Sequence, residues 1–475
     1  MATDPLMVLS DSYGLPITTR SREALHWYDQ GIRGLLGFRR DTADCFLKAL
    51  ALDPSLHMAR SALGVSYFLE ESAEMVATAR DCFARACRDT AALTDRERDV
   101  VETQHLWGQG KGREAVDRMQ AAIQARPREI SLIQRLYFIY FMQGAADKMR
   151  DLSASVLRAY DNDPYILGMY SFALEETRDF ARALELGQQA RALSPDDVWA
   201  LHALAHVYYE TGAFAAGTRF LSEGLPGCNE VGFFRTHIVW HLALFLWEQG
   251  HYQQTLALYH EQFPDPATLT PPNFVDAVTL LWRLNLTGCD TPTEWQALLP
   301  SLDTLQKTPT YLFNQMHIAL GLTGARHFEW AIAYLEGLRA RVRPERPGVL
   351  GEVGLPLVEG LIAYAKGDYA GTVERLHPIK DRIVNIGGSH AQREIFTDIL
   401  TDACLQSGAY DLAVTLLGAK RQHRPDRPLA LFALERAYAQ KDEREQAAAV
   451  GAQARRLWHD MGADAQILAQ FGAGN

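Results

Sequence analysis

The stretch Val198–Leu225 reads VWALHALAHVYYETGAFAAGTRFLSEGL. Counted from Val198 as position 1, Leu201, Leu204, Ala205 and Tyr208 stand at positions 4, 7, 8 and 11, and Gly212, Phe214 and Gly217 at 15, 17 and 20. This is the large–large–small–large, turn, aromatic and small order of the tetratricopeptide (TPR) repeat, whose period is about 34 residues. The same turn, Gly or a polar residue with an aromatic two places later, recurs as RDFARAL from Arg178, GHYQQTL from Gly250, RHFEWAI from Arg326, GDYAGTV from Gly367 and GAYDLAV from Gly408. Pro54, Pro127, Pro164 and Pro195 mark unit ends, because proline cannot continue a helix. Phe328, Tyr369 and Tyr410 are each 41 residues apart, so the later units are longer than the standard repeat.

Each such unit is a pair of antiparallel amphipathic helices that buries its apolar faces only by stacking on its neighbours. The expected fold is therefore all-α, a TPR-like α-solenoid: a right-handed superhelix of about ten helix pairs. No alternating β-branched run or Asn-Gly hairpin signal is present, so no strand is expected. Glu223–Phe234 and Phe263–Asn273 break the period as loops, and Gly288–Pro309 holds turns around a short helix. The expected organisation is an N-terminal extension over residues 1–19, one continuous array with a central concave pocket over 20–415, and a helical cap of the same array over 416–475.

The 475 residues carry 47 basic and 58 acidic side chains, a net charge of −11. That balance argues against a nucleic-acid or anionic-membrane partner, either of which asks for a basic face. The six cysteines are scattered without a CxxC pair, which points to reduced thiols rather than disulfides or a thiolate zinc site. Met1–Thr19 lacks the basic start and apolar core of a secretory signal, and no run approaches a membrane span. A cytoplasmic protein is expected. Self-association through the apolar end faces of an array is compatible with this reading.

Chemistry enters through the repeat positions that oppose the packing face. His202 and His206 occupy positions 5 and 9 of their unit, one helical turn apart on the inner wall. In the next unit His237, Trp240 and His241 fall at positions 2, 5 and 6, and His317 also at 6. An HxxxH pair can chelate a divalent metal such as zinc, with His202, His206 and His241 the ligands, although no HExxH is present. The same imidazoles can instead serve acid–base or positioning roles in a metal-free pocket, or simply hydrogen-bond one another between helices. Asp276 and Arg283 are seven residues apart on one helix face, suited to orienting an imidazole and holding an anion, or to an inter-helix ion pair. Asn314 lies one turn before His317. In IGGSHAQRE, from Ile386, Ser389 and Gln392 have capping-box spacing after Gly387-Gly388. That is an ordinary helix start, or, with His390 and Arg393 adding positive charge, a cradle for a carboxylate or phosphate.

WALHALAHVYYE (199–210), HIVWHLAL (237–244), VDAVTLLWRL (275–284), FNQMHIAL (313–320), VGLPLVEGLIA (353–363) and IVNIGGSHAQREIF (383–396) together resemble the tetratricopeptide repeat protein 38 family. The resemblance runs in order from about residue 20 to about 410. It carries the pattern at His202, His206, Trp240, His241, Asp276, Arg283, Asn314, His317, Gly387, Gly388, Ser389, Gln392 and Arg393, and departs at His390, where Asn is expected. It implies the TPR-like fold and no defined reaction.

The sequence thus supports a concave pocket for a small anionic molecule and, if the protein is an enzyme, hydrolysis or other acid–base chemistry. His202, His206, His241 and Asp276 form the catalytic set; His237, Trp240, Arg283, Asn314, His317, Gly388, Ser389, Gln392 and Arg393 hold the substrate. The alternative is a non-enzymatic scaffold with a peptide or protein partner in an open groove.

Overall fold

The computed structural model describes residues 5–308, 310–422 and 424–464. Among them are 25 α-helices joined by short turns, so the chain is an all-α, TPR-like helical array. Successive helices pack as antiparallel neighbours, as in Pro164–Glu176 with Phe180–Leu193 and Pro428–Gln440 with Arg444–Asp460. Backbone packing divides the chain into two units. One comprises Met1–Phe141, Ala145–Ala203 and Gly227–Arg235; the other comprises Met142–Gly144, Leu204–Pro226 and Thr236–Asn475.

The repeat turns explain their residues. Gly212, Gly250, Gly367 and Gly408 all adopt φ between +75° and +83°, where a Cβ is disfavoured. Arg178 and Arg326 take the same left-handed backbone, at +68° and +55°, in the two turns where a polar residue replaces glycine. Gly217, at the small position of its repeat, lies under the ring of Phe245, which a Cβ would approach to 2.5 Å. Pro54, Pro127 and Pro195 sit in turns between helices, whereas Pro164 opens the helix Pro164–Glu176 rather than closing one. At the first helical position its missing N–H costs nothing.

Two expectations about local structure are corrected. The first unit contains an antiparallel hairpin, Met7–Ser10 paired with Pro16–Thr19, in the segment expected to lack strands. Its connection is not a two-residue turn. Asp11 Oδ1 instead accepts the N–H groups of Tyr13 and Leu15, and Gly14 adopts φ +76°. Tertiary contacts hold the second strand: Glu97 accepts from the Thr18 amide and hydroxyl at 2.8 and 2.7 Å, and Asp53 from the Thr19 hydroxyl at 2.8 Å. In the second unit, Gly288–Pro309 holds two short helices, Pro292–Ala297 and Leu299–Leu305, rather than one.

The last helices of the second unit are anchored by a buried ionic network that begins on the helix His390–Ser407. Glu394 receives Arg424 at 2.5 Å, Arg427 at 2.7 Å and the Tyr209 hydroxyl at 3.0 Å. Arg427 also pairs with Glu248 at 2.6 Å. Trp458 and Leu431 complete the attachment by packing with Trp247, Tyr252 and Leu284. Burial pushes the Glu394 carboxyl up, but Arg424, Arg427 and Lys420 outweigh it and hold the group well below the usual carboxylate range.

A carboxyl whose folded pKa is depressed stabilises the fold above its unfolded pKa, near 4.3, and that contribution is lost as pH falls through the folded value. Glu394→Gln leaves two buried guanidinium groups undercompensated and should cost about 3–5 kcal/mol at neutral pH. In urea unfolding, the gap between wild type and variant should narrow progressively below about pH 4. A gap that stays constant to strong acid would assign the loss to packing rather than charge.

Candidate functional site

In the second unit, imidazoles from two neighbouring helices meet in one buried place. The helix Phe234–Glu248 carries His237 and His241 one turn apart, and the helix Val198–Glu210 brings His206 against them. The His206 and His241 rings are 4.5 Å apart between centroids, and those of His237 and His241 are 4.8 Å apart. One ring nitrogen from each of the three lies within 4.8 Å of the others. His206 and His241 are fully buried, and His237 is 8% exposed. The third wall is the helix Pro271–Leu286, whose Asp276 accepts from His237 Nδ1 at 2.9 and 3.1 Å. A carboxylate on Nδ1 fixes the tautomer and the ring orientation.

Burial lowers the His206 pKa well below the ordinary imidazole value, and His237, His390 and Arg393 lower it further. Burial raises the Asp276 carboxyl, against the pull of His237 and Arg283. His317 is pushed down to about 4, chiefly by burial. Its Nδ1 is hydrogen-bonded to the Phe313 carbonyl at 2.8 Å, and its ring packs between Phe313 and Phe396.

The supporting residues are engaged with protein. Trp240 stacks on His237 with centroids 5.1 Å apart and donates to Thr279 Oγ1 at 3.1 Å. Arg283 donates to the carbonyls of Thr279 and Ala391, and its guanidinium faces the Trp240 ring at 5.6 Å. Those bonds hold its fork on backbone, so it acts on the cluster through its charge. Arg393 donates to the carbonyls of Gly387 and Gly388, turning its fork onto the helix start. Ser389 and Gln392 form the expected capping box at 3.1 and 3.2 Å. The two glycines have packing reasons: a Cβ on Gly387 would meet the Met142 carbonyl oxygen at 2.4 Å, and one on Gly388 the Phe313 ring at 2.2 Å. Asn314 donates to Thr310 Oγ1 at 2.8 Å.

His202 belongs to the first unit, because the division falls after Ala203. There it packs among the rings of Phe172, Trp199 and Phe234, each about 5 Å away. The imidazoles are buried rather than arrayed along an open groove.

Sequence reasoning put His237 among substrate contacts, while the structure gives it the central place, on Asp276. It also overlooked a recess of about 540 Å3 in the second unit, walled by Trp282, Trp295, Tyr364 and Tyr369 with Arg326 and Lys366 at its edge. The four aromatic residues lie on four different helices and Arg326 and Lys366 on turns, and nothing in the repeat pattern says that they converge. All six cysteines are free thiols. Among the described residues, no helix is long and apolar enough to cross a membrane.

Comparison with known proteins supports the repeat and stops short of a family. A tetratricopeptide-repeat family profile matches residues 174–226, the segment that ends with the stretch deciding the fold. Similar solved structures include the human IFIT1 dimer with PPP-AAAA (13% identity, 95% of this chain and 96% of that one, TM-score 0.43). Another is an IFIT1 monomeric mutant with Gppp-AAAA (13% identity, 91% and 100%, TM-score 0.41). The exclusion of nucleic acid drawn from net charge is withdrawn, since these architectures are solved with nucleic-acid ligands. A chain-wide average of −11 does not describe the field at any one surface.

Gly388 gives a direct test of how the helix start supports His317. With φ +79° and the Phe313 ring in the way, Gly388→Ala should lower stability by about 1–3 kcal/mol. Gly418→Ala, where a Cβ meets nothing within 4 Å, should be neutral or stabilising in the same thermal melts. Equal effects of the two substitutions would remove the packing explanation.

Proposed function

We propose that the histidine cluster of the second unit is a binding and reaction centre for a small anionic molecule, and that its chemistry is acid–base hydrolysis. The observation that carries this reading is the His237–Asp276 pair at 2.9 Å beside His206 and His241. Sinking three imidazoles and a carboxylate into an interior costs stability that apolar side chains of similar size would not. Such clusters are characteristic of sites that handle protons or charge. The role of each residue follows from its bonds. Asp276 orients His237 and offsets charge that develops on it, so in the metal-free protein His237 is the general base, with His206 and His241 beside it to bind or relay.

The preference for an anion rests on the charges nearby. Arg283 is a buried cation acting on Asp276, and Arg393 one acting on His206. Their guanidinium groups are held on backbone carbonyls, so they favour negative charge through the field rather than by a bidentate grip. Trp240 supplies an apolar wall that keeps water from competing. The peptide-groove alternative has less support, because these side chains are buried and an extended ligand needs an accessible track.

A panel of p-nitrophenyl acetate, phosphate and sulfate tests the reading with the purified chain. Turnover of at least one ester should fall about 10²–10⁴-fold in His237→Ala and Asp276→Asn, with helical circular dichroism unchanged. The reading fails if both folded variants hydrolyse every ester as wild type does, or if the wild type hydrolyses none.

A further inference from the structure

The same three imidazoles have the donor set and spacing of a metal centre. We propose that His206, His237 and His241 bind one divalent first-row transition metal, zinc being the best fit. This inference rests on the reading that the cluster is the functional centre.

The geometry is close to what coordination needs. Nitrogens bound tetrahedrally to zinc at about 2.0–2.1 Å stand roughly 3.3 Å from each other. The three candidate nitrogens already lie within 4.8 Å of one another, so each ring need move inward by less than ~1 Å to close on an ion. His237 and His241 are offset by one turn of a single helix, which holds two ligands at fixed separation, and His206 approaches from a second helix. Ligands on two packed helices set a site more firmly than ligands on loops.

The surroundings complete the argument. Asp276 on His237 Nδ1 forms the carboxylate–histidine arrangement that orients a ligating ring and raises its basicity. Trp240, stacked on His237, provides the apolar shell that excludes solvent. An all-imidazole donor set selects zinc, copper, nickel or iron and discriminates against magnesium and calcium, which require oxygen ligands.

The test uses the full chain stripped with chelator and titrated with Co2+ alone, followed by Zn2+ competition. The expected result is one ion per chain, with the intense visible bands of tetrahedral Co2+ displaced by Zn2+. X-ray absorption of the zinc-loaded wild type should show imidazole nitrogens in the first shell, a readout that needs no variant to fold. His241→Ala should abolish the cobalt bands, and Asp276→Asn should weaken cobalt about 10–100-fold without abolishing it. Absence of stoichiometric Co2+ or Zn2+ binding by the wild type overturns the metal, as does a first shell of oxygen or sulfur. Ester turnover that depends on Asp276 in the stripped protein would then leave the acid–base reading standing. Metal bound as expected without any ester turnover would instead sink the hydrolytic reading and keep the metal site.

Discussion

The His237–Asp276 hydrogen bond is the constraint around which the second unit is arranged. A carboxylate 2% exposed cannot stay charged in an apolar interior without a donor, and an imidazole beside it supplies one. The pair links the helices Phe234–Glu248 and Pro271–Leu286 at a fixed register, which brings His241 to face His206 and Trp240 to lie over His237. Thr279, one turn after Asp276, accepts from Trp240 and so repeats the link a turn further on. Arg283 extends it by donating to the Ala391 carbonyl, which joins the helix His390–Ser407.

That chain of partners separates two uses of buried charge in the same unit. Around Glu394, carboxylates and guanidinium groups pair in short ionic bonds, and the product is attachment of the last helices. In the histidine cluster the groups are imidazoles, with Asp276 on His237. Burial holds His206 neutral, the form in which imidazole accepts a proton or coordinates a metal. The helix His390–Ser407 serves both regions: Arg393 contributes to the field at the histidines, and the adjacent Glu394 belongs to the anchor. Successive residues on a helix point about 100° apart, so one element faces two environments.

Periodicity was enough for the fold because a TPR unit is a local object. Leu201, Leu204, Ala205 and Tyr208, then Gly212 and Phe214, need only their own helix pair and turn to be recognised. The hairpin at residues 7–19 escaped the same reading because its turn is held by the Asp11 side chain and its second strand by Glu97 and Asp53, far along the chain. The capping box of Ser389 and Gln392 was legible, since both partners lie within four residues. Its glycines were not: their reason is the approach of Met142 and Phe313, which no local pattern carries.

For the candidate site the division is similar. Position within the repeat selected His202, His206, His237, His241 and His317 from the sequence, and seven-residue spacing selected Asp276 and Arg283, because helical geometry fixes which side chains share a face. It could not assign their partners. That His237 rather than His206 takes Asp276, and that Arg283 and Arg393 turn their guanidinium groups onto backbone carbonyls, depends on how separate helices stack. The sequence by itself determined the repeat and the residues on the inner faces, since both follow from intervals of 3.6 residues along one helix. Only the tertiary structure decided that those faces are buried and which polar atoms meet there. Contacts between helices dozens of residues apart are set by packing and desolvation, which local spacing does not encode.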